Sequence, residues 1–447
     1  ITKLGSVVKF IPEPVIVGFT SGIAITIFVG QWQNFFGLSV HIPLDASFYQ
    51  KLTILTQALP HLNIVTTALG CLSILLVVMT PFVLKRIPGP LVAMVIAAIL
   101  FVACHLKQVA TLGSTFGSIP QHFPAFQLPT ISFNEVLSLI GPAFTIALLG
   151  AIESLLSAAA ADGMAGTRHN SNQELIGQGL ANIFSPLFGG IAATGAIART
   201  ATNIRNGGTN PIAAIIHSVV LIAFILLLAP LARYIPLCAL SAILFVVAYN
   251  IADFSYFFDM IRRAPRYDVV VLLTTFFLTI FTNLVIAVNI GVILAMLFFV
   301  RRMNQSVTIE QQHPSTLQDE LKADHINLDE LSRNLIIYNI DGPFFFGMTE
   351  KFEHALAVTH TEPKAIIFRL RDVPFMDISG IQTFHEIIKQ FHRHGVKIYL
   401  CEANARVQKK LEKNDFFSWI EQKKMFNSIK EAINAMKLFV TSNNLIL

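Results

Sequence analysis

Charge is what this 447-residue sequence has least of. Asp, Glu, Lys and Arg supply only 13% of the residues, where soluble domains average about 25%. The deficit falls in residues 10–300, whereas residues 301–334 are highly polar and the rest of the chain has the composition of a soluble domain. This pattern excludes an ordinary soluble protein. It predicts a membrane-embedded part that ends near Arg302, followed by a soluble part.

Cysteine is also scarce, and its placement excludes several kinds of site. The four cysteines have neither C-x-x-C nor metal-ligand spacing, so we expect no disulfide framework and no metal site: Cys71, Cys104, Cys238 and Cys401. The sequence also contains no Walker-type G-K-S/T motif, no other catalytic cluster and no motif that binds DNA or RNA. We therefore expect no enzymatic activity, no cofactor and no nucleic-acid partner. We assign the net charge of +5 to cytoplasmic loops.

Long apolar runs are abundant instead. About 20 apolar residues cross a bilayer, and Pro residues stand at several ends of the runs found here, as is typical of helix boundaries. The candidate spans are residues 15–32, 62–84, 90–106, 139–161, 174–190, 211–231, 237–252, 268–284 and 285–300. Residues 195–206 are only half apolar, and we interpret them as a tenth, short and discontinuous crossing element.

The loop charges orient these spans in the lipid bilayer. If residue 9 is cytoplasmic and the spans alternate, most of the loop Lys and Arg residues fall on the inner side, as the positive-inside rule requires. The outer loops then carry only Lys51, Lys107 and Arg233. The alternation holds only if residues 195–206 count as one crossing. On this orientation, the C-terminal part emerges in the cytoplasm.

The C-terminal part has the pattern of a small α/β domain. The runs "NLIIYNI", "AIIFRL" and "KIYLCEA" are typical of short strands, and amphipathic runs lie between them. We divide the chain into a membrane domain (1–302), a polar linker (303–334) and this domain (335–447). In its "DISG" turn, Asp377 to Gly380, Ser379 could cap the next helix. Alternatively, Ser379 is an exposed serine that is phosphorylated or contacts a partner.

Two features of the membrane part are candidates for function. The first is Glu153, inside the apolar run "FTIALLGAIESLLSAAAADG". An ionisable side chain at the centre of a span costs about 2.5–3.5 kcal/mol on insertion scales, so it usually faces a polar cavity. Helical spacing places Ser154 and Ser157 on a stripe of small polar residues beside it. The alternative is that Glu153 only hydrogen-bonds a neighbouring helix.

The second feature is the stretch "GAIARTATNIRNGG", residues 195–208. Small residues precede it, so a helix could begin there part-way through the membrane and leave its first N–H groups unpaired. Such an end carries about half a positive charge and attracts anions. Arg199 adds a full charge. We predict that the backbone of Ala196, Ile197 and Ala198 binds an anion together with Arg199. Alternatively, Arg199 snorkels or pairs with Glu153.

These motifs resemble the sulfate permease (SulP) family. The resemblance rests on "FIPEPVIVGFTSGIAI" (10–25), on residues 147–190 and on "TGAIARTATNIRNGGTNPIAA" (194–214), together with "DISG". It implies an α-helical polytopic membrane protein with two inverted repeats of seven segments. These form a core and a gate domain, and a cytoplasmic STAS domain follows. Arg199 then falls on the family's anion site, and Glu153 on an acidic position that bears on proton or sodium coupling.

The same resemblance carries further expectations. The family's first four segments would precede "GSVVKFIPEPV" and are not in this sequence, which begins with Ile1; we expect the chain as it stands not to transport. Members are dimers in the lipid bilayer, here the bacterial inner (plasma) membrane. The STAS domain, with Asp377 and Ser379, could bind a cytosolic protein partner.

The substrate remains open within the family. The "GAIESLL" and "DGMAGT" runs are similar to the bacterial DauA-type branch, which implies proton-coupled uptake of C4-dicarboxylates such as succinate, fumarate or aspartate. The alternatives are a sulfate transporter, a sodium-coupled bicarbonate transporter, or an anion channel or voltage-responsive motor of the same fold. A membrane-tethered regulator, in which the STAS-like domain binds a partner, is a further alternative.

Overall fold

The computed structural model describes most of the chain. The described ranges are residues 12–43, 46–84, 87–117, 120–121, 124–130, 132–205, 207–282, 284–312, 335–345, 363–414, 416–420 and 425–443. The chain divides into two compact units, Ile1–Met296 and Leu297–Leu447.

Unit 1 consists of helices. In chain order they are α1 (Glu13–Gly30), α2 (Trp32–Phe36), α3 (Phe48–Ala58), α4 (Ile64–Val83), α5 (Gly89–Ala103), α6 (Leu112–Phe116), α7 (Phe133–Ala165), α8 (Ser171–Leu187), α9 (Ile197–Arg205), α10 (Ile212–Ala232), α11 (Leu237–Ala252), α12 (Phe254–Arg263), α13 (Arg266–Phe281) and α14 (Leu284–Gln305), the last of which runs on into unit 2.

Six helical stretches in the described residues are long and apolar enough to cross a membrane, and α5 is a shorter apolar helix. These stretches correspond to most of the predicted spans. The predicted spans 174–190 and 268–284 fall on α8 and α13, which have 17 and 16 residues. The sequence analysis took the region of α3 as part of an outer loop. A reciprocal capping box between Ser47 and Gln50 begins this helix.

The helices pack in two groups. In the first, α1 lies against α11 and α13, and α11 also contacts α4 and α5. In the second, α7 contacts both α8 and α9. The candidate residues of the membrane part, Glu153 and Arg199 among them, all lie in this second group.

Close approach of α1 and α13 depends on two glycines of "GFTSG". A Cβ atom at Gly18 would lie 2.5 Å from the carbonyl oxygen of Leu272, and one at Gly22 would lie 2.7 Å from Cβ of Thr279. Small residues let helix backbones approach in this way, and van der Waals packing then holds the pair where lipid removes most of the hydrophobic driving force.

Unit 2 is built on a five-stranded sheet in the order β1-β2-β3-β4-β5. The strands are β1 (Thr308–Gln312), β2 (Leu335–Asp341), β3 (Ala365–Asp372), β4 (Lys397–Cys401) and β5 (Met425–Phe426), and three helices accompany them: α15 (Ile378–Arg393), α16 (Ala405–Lys413) and α17 (Ile429–Asn443). Strands β2 to β5 are parallel, and β1 is antiparallel to β2. The predicted strands and helices of the α/β domain are confirmed.

Apolar side chains cover both faces of this sheet. Phe368 belongs to a core cluster that includes Phe384 of α15 and Leu411 of α16. Ile367, on the other face, belongs to a second cluster with Ile433 of α17. This alternation along a parallel strand is typical of a sheet between helical layers.

Two details of unit 2 differ from the sequence analysis. Residues 308–312, which we placed in the polar linker, form β1 and pair with β2. The helix after "DISG" is capped by Asp377, whose side chain accepts a hydrogen bond from the N–H of Gly380 at 2.6 Å. Ser379 is not the cap, because α15 already begins at Ile378 and places Ser379 inside the first turn.

The packing of α1 on α13 gives a prediction. Gly18→Ala should lower the apparent melting temperature of the protein in detergent, because the new methyl group meets a backbone carbonyl that cannot turn aside. Overpacking of this kind costs about 1–3 kcal/mol. Gly30→Ala is the matched control, since a Cβ atom there meets nothing within 4 Å. Equal melting temperatures for the two variants would contradict the close approach.

Candidate functional site

The chain loses its helical conformation between α8 and α9. After Leu187 it turns at residues 188–189 and then runs without helix or strand to Ala196. Gly189 has φ +71°, a left-handed conformation that glycine adopts without strain. Helix α9 begins at Ile197. The predicted helix break ahead of Arg199 is therefore confirmed.

Polar side chains of α8 hold this unwound segment, residues 188–196. Asn182 accepts a hydrogen bond from the N–H of Ala193 and donates one to its carbonyl, both at 2.8 Å. Gln178 also donates to the Ala193 carbonyl, and Ser185 donates to the carbonyl of Ile191 at 2.8 Å. Irregular backbone at membrane depth requires partners of this kind, because lipid supplies none.

Helix α7 forms the other wall of the segment. The hydroxyl of Thr194 donates to the carbonyl of Gly150 at 2.8 Å. A Cβ atom at Gly195 would lie 3.4 Å from Cα of Ser154 and 3.5 Å from Cβ of Ser157. These two serines are buried, with 1% and 4% of their surface exposed. The predicted stripe of small polar residues on α7 thus faces the start of α9.

The two serines bond to different elements. Ser157 donates to the hydroxyl of Thr200, on the first turn of α9, at 3.0 Å. Ser154 donates to Oε1 of Glu174, on α8, at 2.9 Å. Side-chain hydrogen bonds therefore run from α7 to both of its partners. The end of the unwound segment therefore lies against the two buried serines of α7.

The predicted anion-binding residues occupy the first turn of α9. The earliest helical bond runs from the N–H of Thr200 to the carbonyl of Ala196 at 3.0 Å. The N–H groups of Ile197, Ala198 and Arg199 precede that bond, and a helix offers its first donors no internal acceptor. Arg199 is exposed, and no carboxylate among the described residues lies within 4.0 Å of its guanidinium. The partial charge of the helix end and the full charge of Arg199 thus occupy one turn.

Glu153 lies on a different side of α7 from the two serines. Its side chain is exposed, whereas that of the adjacent Ser154 is buried. It is not paired with Arg199. Successive residues of a helix are about 100° apart, so neighbours cannot share a face. The structure thus places Gly195 and Thr200, on either side of Arg199 in the chain, against Ser154 and Ser157, and Glu153 points to a different side of α7.

A hydrogen-bonded turn joins α7 to α8. Asp162 accepts from Thr167 at 2.9 Å and lies 2.7 Å from Nδ1 of His169, whose Nε2 lies 3.0 Å from the hydroxyl of Ser171. Asn170 caps the first turn of α8. These contacts fix the direction of α8 along the unwound segment.

The contribution of α8 was not predicted from the sequence. Residues 174–190 were expected to form an ordinary span, whereas four polar residues of α8 make contacts around the break: Glu174, Gln178, Asn182 and Ser185. The signal was the spacing of these polar residues in steps of four, four and three, which places them along one side of a helix.

In the described part of the chain, no group of three or more His, Cys, Asp or Glu side chains could hold a metal ion. In unit 2, burial raises the pKa of the Cys401 thiol to about 12. That thiol is protonated at neutral pH and packs in the second core cluster.

The fold and the apolar helices are those of a multi-pass membrane protein. The model of the sulfate permease family matches residues 1–275, and the STAS domain model matches residues 325–432. Because the first match covers more than half of the chain, the chain belongs to the sulfate permease family.

Two curated relatives are similar over nearly the whole chain. The putative sulfate transporter YvdB of Bacillus subtilis is 37% identical, and the match covers 95% of this chain and 78% of the relative. The bicarbonate transporter BicA of Synechocystis is 31% identical, and the match covers 96% of this chain and 76% of that protein.

Solved structures share the fold. The murine anion transporter Solute Carrier 26 family member A9, in the inward-facing state, superposes with a TM-score of 0.81 at 21% identity, over 96% of this chain and 71% of that one. The transmembrane domain of a cyanobacterial BicA superposes with a TM-score of 0.52 at 29% identity, over 66% of this chain and 71% of that one. The expected transporter fold is confirmed.

The hydroxyl pair between α7 and α9 gives a second prediction. Ser157→Ala and Thr200→Val should each lower the melting temperature of the protein in detergent. The double variant should fall by less than the sum, because both changes remove one hydrogen bond worth about 0.5–1.5 kcal/mol. Ser154→Ala is the control partner, since Ser154 bonds Glu174 instead. Strict additivity of the Ser157 and Thr200 changes would show that the two hydroxyls do not interact.

Proposed function

We propose that the protein is a secondary active transporter of a small inorganic oxyanion, and that the anion binds at the amino-terminal end of α9. One observation carries the proposal. The first-turn N–H groups of residues 197–199, which have no acceptor within the helix, and the exposed Arg199 guanidinium follow an unwound segment whose main chain is held by α8 at Ile191 and Ala193. Donors held in advance at such a position attract anions without reorganisation.

The binding group would consist of main-chain and side-chain donors. The N–H groups of Ile197, Ala198 and Arg199 supply oriented dipoles, with Ala196 at the end of the unwound segment. Ser154 and Ser157 lie beside Gly195 and complete the polar lining. The Arg199 guanidinium offers planar, bidentate hydrogen bonds that suit an oxyanion.

Relatives favour an inorganic substrate. The relatives YvdB and BicA are named for sulfate and for bicarbonate. Both anions are oxyanions small enough to bind to one helix end and one guanidinium at the same time. Uptake of C4-dicarboxylates, which the DauA-type resemblance implies, stays a prediction. A competition panel of bicarbonate, sulfate, succinate and fumarate separates these substrates.

Glu153 is our candidate for the residue that binds the coupling ion, either as a proton carrier or as a sodium ligand. It lies on α7 one residue from Ser154, so any movement of α7 carries both groups together. Because Glu153 is not paired with Arg199, a change in the protonation of Glu153 would leave the position of the anion-binding Arg199 guanidinium unchanged. Proton coupling predicts transport that depends on a pH gradient. Sodium coupling predicts dependence on sodium at constant pH.

The transport cycle would move α7, α8 and α9 as one body. Their mutual hydrogen bonds, from Ser154 to Glu174, from Ser157 to Thr200 and from Asn182 to Ala193, favour rigid motion over local rearrangement. We further propose a homodimer in the plasma membrane with the STAS domain in the cytoplasm. There the first turn of α15, with Asp377 and Ser379, is available to a cytosolic partner protein.

Uptake assays test the site and its two charged residues. In proteoliposomes that contain the full-length protein, Arg199→Gln should lower kcat/KM for the transported anion by about 10- to 150-fold, because hydrogen bonds to charged groups contribute about 1.5–3 kcal/mol. Arg199→Lys keeps the charge but loses the planar fork, and it should retain more activity than Arg199→Gln. Glu153→Gln should abolish dependence on the coupling-ion gradient but leave anion binding.

The controls assign each outcome. Arg233→Gln removes an exposed arginine from the loop after α10 and should leave uptake unchanged. Wild-type kinetics in Arg199→Gln would show that the Arg199 guanidinium does not bind the anion. If gradient-driven accumulation is unaltered in Glu153→Gln, Glu153 has no role in ion coupling.

A further inference from the structure

The side-chain amide of Asn182 is the most completely bonded group around the helix break. Its Oδ1 accepts from the N–H of Ala193, and its Nδ2 donates both to the carbonyl of Ala193 and to that of Gln178, at 2.8 and 2.9 Å. A primary amide has two donor hydrogens, and both are used here. The orientation of the amide is therefore fixed, and so is the main chain of Ala193.

This contact lies directly ahead of the proposed anion site. Ala193 is followed by Thr194, whose hydroxyl bonds the carbonyl of Gly150 on α7. The segment is thus held to α8 at one residue and to α7 at the next. Three residues after Ala193 the chain reaches Ala196, the acceptor of the first helical bond of α9. The position of the start of α9 follows from these two attachments.

We propose that Asn182 is a positioning residue for the anion site. It does not touch the anion; by holding both main-chain groups of Ala193, it sets where the amino-terminal end of α9 stands between α7 and α8. The proposal rests on the proposed function, because it takes the end of α9 as the place where the anion binds.

The chemistry of the contact separates Asn from its nearest replacements. Alanine removes all three bonds and leaves the N–H of Ala193 without a partner in a region where lipid offers none. Aspartate keeps the acceptor for the N–H but, when ionised, sets a carboxylate oxygen against the Ala193 carbonyl. A protonated aspartate can donate to that carbonyl again. The Asp variant should therefore recover part of the contact as the pH falls.

The test combines amide exchange with kinetics. In full-length protein in lipid nanodiscs without substrate, Asn182→Ala should speed hydrogen exchange over residues 191–196. In proteoliposomes, it should raise KM for bicarbonate or sulfate by about tenfold with Vmax little changed, since loss of ground-state and transition-state binding together raises KM alone.

Two comparisons make the result specific. Gln173→Ala removes another side-chain amide of α8; nine residues separate it from Asn182, which places it on the opposite side of the helix, and it should behave as wild type. A single preparation of Asn182→Asp is measured at two pH values. Its hydrogen-exchange rate over residues 191–196 should approach that of the wild type at acid pH and exceed it at neutral pH. Asn182→Ala should show no such recovery, so a folding defect cannot imitate this result.

The outcomes separate this proposal from the proposed function. Wild-type exchange and wild-type KM in Asn182→Ala would overturn it. Faster exchange with an unchanged KM would also overturn it, because Asn182 would then hold the chain without positioning a binding site. A raised KM in Asn182→Ala together with wild-type kinetics in Arg199→Gln would support Asn182 as a positioning residue and reject Arg199 as the anion's cation.

Discussion

One constraint underlies the structure of the candidate site: main-chain polar groups in lipid must find partners within the protein. A helix meets this requirement by itself, but the unwound segment before α9 cannot. Asn182 and its neighbours on α8 bond the main chain of Ile191 and Ala193, and Thr194 reaches to α7. The first turn of α9 adds N–H groups that have no acceptor within their own helix.

The first turn of α9 gives the site its electrostatic character. Ser154 and Ser157 are used in bonds to Glu174 and Thr200, whereas the Arg199 guanidinium lies within 4.0 Å of no described carboxylate. A cation with no described carboxylate nearby, beside N–H groups that have no acceptor within their helix, favours a negatively charged solute. The same hydrogen bonds tie three helices together, so one body would carry the site during transport.

The sequence predicted what depends on local chemistry. The break before Arg199 follows from small residues around an amphipathic run, and the strands of unit 2 from β-branched alternation. Asn182 was not predicted, because its partner Ala193 is an alanine whose contribution is only main chain. Strand β1 was missed because "TIEQQ" is polar and pairs with a strand over twenty residues away. The capping residue depended on a two-residue shift in the start of α15, from Ser379 to Asp377 as the cap, which composition does not resolve.

The most direct measurement asks whether an anion covers the end of α9. In full-length protein with the exposed Cys71 and Cys104 replaced by serine, Ala196→Cys places a thiol at the end of the unwound segment. We predict that a neutral, water-soluble thiol reagent modifies this thiol, and that saturating bicarbonate or sulfate slows the reaction severalfold. The same anions should leave the reaction rate of the control variant Gln173→Cys unchanged. Equal rates at residue 196 with and without every transported anion would contradict an anion site at the start of α9.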